Sequence, residues 1–108
     1  MKLYIGGAYQ GQTELAVQEN PDAEVLTDFH EMVREALRRG EEPRAFAVSI
    51  CEVKPDAVVV CNEVGAGVVP IDAGERAFRE AVGRALCVVA QNAESVTRCV
   101  CGIGVRIK

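Results

Sequence analysis

Short apolar runs alternate with longer amphipathic ones along the chain, and the period of each stretch predicts an element. Lys2–Ile5 reads as a short strand that runs into glycines. Thr13–Glu19 places Leu15 and Ala16 on one face and reads as a helix, stopped by Asn20, Pro21 and Asp22. Ala23–Thr27 is a second strand. From Asp28 to Gly40, Phe29, Met32, Val33, Ala36 and Leu37 recur at helical spacing. Asp28 with Glu31 three residues later has the form of a capping box, and Gly40 ends the run. Another helix starts with Pro43 at a first-turn position and repeats apolar residues at Phe46, Ala47, Ile50 and Cys51. Ala57–Cys61 is continuously apolar, as a strand covered on both faces requires. The longest helix runs from about Asp72 to Ala93, with Phe78, Val82, Ala85 and Val89 as its stripe and Asp72 with Glu75 capping its start. Ser95–Gly102 is the last strand, and Ile103–Lys108 closes the chain.

Strand–helix alternation predicts a single α/β domain over residues 1–108, with right-handed crossovers and a mostly parallel sheet of about four strands covered by helices on both faces. Composition agrees: 49% apolar and 26% charged residues describe a globular chain rather than a disordered one. A net charge of −4, with the twelve Lys and Arg scattered, argues against a nucleic-acid partner, which calls for a basic stripe. No apolar stretch approaches the roughly 20 residues that span a bilayer. The N-terminal hydrophobic part is too short for a signal peptide, so the expected location is the cytoplasm. The five cysteines include no C-x-x-C, and read better as small apolar groups in a reduced core than as metal ligands. Cys99 and Cys101, two apart on a strand, would share a face.

The chemistry begins at "GGAYQGQTE", Gly6 to Glu14, which fits the phosphate-binding pattern G-x-x-x-x-G-K-[ST] at Gly6, Gly11 and Thr13. A strand, a glycine turn and a helix gather backbone N–H groups around one point, beside the positive end of a helix dipole. The candidate nucleotide cradle is therefore Gly6, Gly7, Ala8, Gln10, Gly11, Gln12 and Thr13, in a P-loop-type fold, with the Thr13 hydroxyl available to Mg2+. Gln12 stands where the pattern has lysine. Its amide offers neutral donors only, and charge-assisted hydrogen bonds are roughly twice as strong as neutral ones. Binding survives such a change better than phosphoryl transfer, whose transition state needs charge neutralised. Asp28, at the end of the second strand, either holds Mg2+ near the phosphates or caps the following helix. His30 is the carrier a phosphoramidate intermediate would need, against the more ordinary reading of a solvated helix-surface histidine. Glu63 leaves the buried strand into a loop freed by Gly65 and Gly67, and is a candidate catalytic group with Asp28. Arg79 and Arg84 could face that cleft.

Two blocks, "VVVCNEVGAGVVPIDAGERAFREAVGRA" and "CGIGVRIK", resemble the C-terminal half of the bifunctional adenosylcobinamide kinase/adenosylcobinamide-phosphate guanylyltransferases. "GGAYQGQT" is similar to that family's phosphate loop at Gly6, Gly7, Ala8 and Gly11, with Thr13 as the hydroxyl. The resemblance covers about the first fifteen residues and the last fifty. It implies a P-loop α/β fold, ATP or GTP with Mg2+, adenosylcobinamide as acceptor, and a homo-oligomer, a trimer in some members. Asn62, Glu63, Gly65, Gly67 and Pro70 carry over as the second loop; Asn62, Gly65, Gly67 and Pro70, together with the Arg79 read from its helix as facing the cleft, form the expected substrate-binding set. Family members transfer GMP through a guanylylated histidine, and the segment that bears it has no counterpart here. The family's asparagine-glutamine pair is Leu86-Cys87. Three readings stand: a compact transferase of cobalamin biosynthesis, a catalytically impaired module that binds a nucleotide or corrinoid, and an interaction protein.

Overall fold

The structure, a computed structural model, describes residues 1–63 and 72–108. Among the described residues, five strands and four helices follow in the order β1 (Lys2–Gly6), α1 (Gln12–Glu19), β2 (Val25–Leu26), α2 (Phe29–Arg38), α3 (Pro43–Val53), β3 (Val58–Asn62), α4 (Ala73–Asn92), β4 (Ser95–Val100) and β5 (Ile103–Arg106). They form one sheet in the order β2-β3-β1-β4-β5. The first four strands pair in parallel, and β5 returns antiparallel to β4, with Val100 opposite Ile103.

The α/β, mostly parallel expectation holds, and the strand count is corrected from about four to five. The extra strand exists because Cys101 (φ 50°) and Gly102 (φ 78°) both take positive φ. Two such residues make the tight hairpin turn whose twist matches that of its flanking strands. The same turn overturns the expected pairing of thiols, since Cys99 is buried and Cys101 stands exposed in the turn.

Alternation along each strand divides the core between the two sheet faces. Tyr4, Val58, Val60 and Cys99 pack under α1 through Ala16. Leu3, Val59, Cys61 and Val96 face the other way, under Phe29 and Val33 of α2, Ala47 of α3, and Phe78, Val82, Ala85 and Val89 of α4. The stripe read along the longest helix is the one it buries.

Helix ends follow local chemistry. The Asp72 carboxylate accepts from the amides of Gly74 (2.6 Å) and Glu75 (3.3 Å), as its position predicts. Glu42 caps α3 by accepting from Ala45 N–H at 2.9 Å, and the backbone amides of Ala45 and Arg44 hold its carboxyl below the usual range. At the end of α2, Gly40 takes φ 80° while Glu41 N–H reaches Ala36 O (2.9 Å) and Gly40 N–H reaches Leu37 O (3.0 Å). That pattern closes a helix on a left-handed glycine. The start of α2 departs from the capping box: Asp28 sits in the left-handed region (φ 55°, ψ 47°) and its side chain makes no cap hydrogen bond. A cap residue needs extended backbone to bring its oxygen over the first turn, so the D-x-x-E spacing is present without the geometry. No helix among the described residues is long and apolar enough to cross a membrane.

Candidate functional site

Neighbouring strands β1 and β3 lead into helices on opposite faces, α1 on one and α4 on the other. Where adjacent strands send their chains apart, their carboxyl ends open a crevice in which ligands of open α/β sheets bind. Here that crevice lies between Gly6 and Asn62, which are register partners, and Glu63 N–H bridges it to Gly6 O at 2.8 Å.

On the α1 side is a cleft of about 290 Å3 lined by Ala8, Gly11, Gln12, Thr13, Asp28 and Asn62, among others. The turn reaches it through two left-handed residues, Tyr9 (φ 63°) and Gly11 (φ 84°), the latter preceding α1 with no side chain capping the helix. Among the described residues, none accepts a hydrogen bond from the amides of Ala8 to Glu14. N–H groups left unpaired at a helix start, in line with its dipole, are what a backbone anion site is built from. The glycines are required by space: a Cβ on Gly6 would lie 2.8 Å from Cys99 O, and one on Gly11 3.3 Å from Gly102 Cα. Gln10 points elsewhere, its Oε1 accepting from Cys101 N–H at 2.7 Å and its carbonyl from Gly102 N–H at 2.8 Å. The turn is thus tied to the β4–β5 hairpin.

Gln12 is buried at 5% exposure, and its Nε2 faces Gly6 O (3.3 Å), Gly7 O (3.1 Å) and Asn62 Oδ1 (2.7 Å). The residue replacing the pattern's lysine is therefore bonded inside the crevice. Two carboxylates, Glu14 and Asp28, line this cleft and no Lys or Arg does. An oxyanion cluster would need a divalent cation to sit beside them. Thr13 and the uncapped Asp28 are hard oxygen donors lining one cleft, a donor set that suits Mg2+.

On the other side, a cleft of about 410 Å3 is lined by Gly7, His30, Asn62, Glu63, Phe78 and Arg79, with Arg34 and Glu75 at its wall. His30 corrects the expectation of a solvated surface histidine: it is 9% exposed, and its Nδ1 accepts from Asn62 N–H at 3.4 Å. Beside it, 4.0 Å from Nδ1, burial pushes the Cys61 thiol up to about 12, so it stays protonated and donates to Asn62 O at 3.3 Å. Arg34 is engaged by Glu31 (3.2 Å), by Glu75 (3.8 Å) and over the Phe78 ring (3.9 Å). Glu63 lies 3.6 Å from Arg98. Arg79 faces the cleft, whereas Arg84 pairs along its helix with Glu80. Gly65, Gly67 and Pro70 lie outside the described residues.

A larger hollow, about 640 Å3, opens near Lys2, Tyr4, Ser95 and Thr97, toward the other end of β1. There Tyr4 Oη is already bonded to Glu19 (2.6 Å) and Asn20 (3.0 Å), and burial and that carboxylate raise its pKa. It lies away from the carboxyl ends of the parallel strands, where ligands of open α/β sheets bind.

The model of the family described as cobinamide kinase / cobinamide phosphate guanyltransferase matches residues 24–107. The match takes in Asp28, Asn62, Glu63 and the closing hairpin, and leaves the glycine turn to stand on geometry. No curated protein matches the chain. With a match over more than half its length, the chain belongs to the cobinamide kinase / cobinamide phosphate guanyltransferase family, whose work is the biosynthesis of cobalamin.

Proposed function

We propose that the chain binds ATP or GTP with Mg2+ at the β1–α1 turn and acts on adenosylcobinamide or its phosphate, held in the adjoining 410 Å3 cleft. The observation that carries this reading is the run of amides from Ala8 to Glu14 that find no acceptor among the described residues, at the sheet's switch point, in a chain of this family. In it, the turn's N–H groups bind the terminal phosphates and Gly6, Gly7 and Gly11 let the backbone approach them. Thr13 and Asp28 hold the metal, which would neutralise phosphate charge and orient the triphosphate. Glu63 lies at the strand end as the candidate base toward an acceptor hydroxyl, while Asn62 and Arg79 contact the acceptor. Gly65, Gly67 and Pro70 belong to the same proposed substrate loop. Copies of the chain associate, as a homo-oligomer covering sheet edges, and a cytoplasmic location fits this chemistry.

A second reading, binding without turnover, is favoured by Gln12. Its amide is spent on Gly6 O, Gly7 O and Asn62 Oδ1, so this position supplies no cation to the transferring group. Purified protein with adenosylcobinamide, Mg2+ and either nucleotide is expected to give slow phosphorylated or guanylylated product. Thermal unfolding run alongside should show stabilisation, about 2.7 kcal/mol at a hundredfold excess over Kd. Stabilisation without product selects the binding module. Neither effect at millimolar nucleotide would sink both readings.

A further inference from the structure

We infer that Gln12, Asn62 and His30 form a positioning relay that fixes the direction of the turn's peptide groups, Gln12 working inside the turn and not on the nucleotide. The relay deepens the nucleotide reading and rests on it for its functional consequence. Gln12 Nε2 is surrounded by three oxygens, at 3.3, 3.1 and 2.7 Å, all of which can only accept. The nitrogen, with two hydrogens, belongs there, and the amide oxygen does not.

Two of those oxygens are the turn's own carbonyls, Gly6 O and Gly7 O. A peptide unit is planar and trans, so its C=O and N–H point in opposite directions. Drawing Gly6 O and Gly7 O onto Gln12 therefore turns the N–H groups of Gly7 and Ala8 away from it. The same bonds also occupy two carbonyl oxygens that would repel an anion if they faced it.

The third oxygen extends the effect. Asn62 ends β3, offers Oδ1 to Gln12, and gives its own N–H to His30 Nδ1 at 3.4 Å. His30 is buried at the head of α2, two residues after Asp28. Three segments far apart in sequence thus meet at Asn62, its side chain bonded to Gln12 and its backbone amide to His30. Buried hydrogen-bond chains of this kind rigidify what they join when every member is satisfied, and no buried side-chain N or O among the described residues lacks a partner.

The test is 15N relaxation on the ligand-free full chain, read at Gly7 and Ala8. Wild type is expected to show rigid order parameters near ~0.85, falling below ~0.6 in Gln12→Ala and in Asn62→Leu, with no further fall in the double variant. Asn62→Asp keeps an oxygen acceptor and should stay rigid. His30→Leu removes the acceptor of the Asn62 amide and should loosen the same two residues. A turn that stays rigid in Asn62→Leu or His30→Leu, or one that loosens equally in Asn62→Asp, overturns the relay. MgATP and MgGTP affinities supply a separate arm, expected to fall roughly tenfold or more in Asn62→Leu. A wild type that binds neither nucleotide, yet shows this relaxation pattern, removes the nucleotide reading and supports the relay.

Discussion

Phe29→Ala is expected to lower the unfolding free energy by about 3–5 kcal/mol. Phe29 is wholly buried and stacks on Phe46, with ring centroids 6.0 Å apart at 24°. Removing it costs the transfer free energy of the ring and leaves a cavity between α2, α3 and the sheet, which close packing cannot collapse fully. The consequence reaches the site, because Phe29 lies between Asp28 and His30 and pins the head of α2. Denaturant unfolding at unchanged m-value measures the loss; Phe29→Leu, which keeps most of the volume, should cost much less. A loss under about 1 kcal/mol for Phe29→Ala would contradict the assignment of this ring to the core.

Gln12→Lys is expected to tighten nucleotide binding about tenfold. A unit charge placed roughly 6 Å from a phosphate oxygen gains about 3 kcal/mol at an effective dielectric constant near 20. Desolvation of the ammonium and loss of the amide's bonds offset part of this, and a net 1.4 kcal/mol is a factor of ten. The ammonium has three donors for the three oxygens that Gln12 now serves, so the turn need not unravel to admit it. Calorimetric titration of both proteins with MgATP and MgGTP reads the difference. Equal affinities would mean that no phosphate comes to this turn.

Much of the architecture was legible because it is local. The continuous apolar run at Val58–Cys61, the spacing of Phe78, Val82, Ala85 and Val89, and the stops at Gly40 and Asn20 each express a period or a turn preference within a few residues. β5 escaped although Ile103, Val105 and Ile107 alternate, because the hairpin places Cys101 where Asn, Asp or Gly usually signals the turn. A pattern of residue types cannot report φ, and so Asp28 matched a capping box it does not form.

The crevice was legible in its glycines and opaque in its wiring. That Gln12 departs from lysine is visible in one line of sequence. That its amide is held by Asn62, fifty residues on, depends on β1 and β3 being register partners, which no local signal contains. The burial of His30 has the same origin, since its partner is the Asn62 amide at the end of another strand. Long-range pairing, once the topology is known, converts a lone histidine and an odd glutamine into members of one site.

The measurement closest to the central claim is an NMR titration of the 15N-labelled chain with MgATP and with MgGTP. The largest amide shifts are predicted at Ala8 to Thr13 and at Asp28, where free N–H groups and the oxygen donors meet. Shifts centred instead on Lys2, Tyr4, Ser95 and Thr97, or none at millimolar nucleotide, would contradict it.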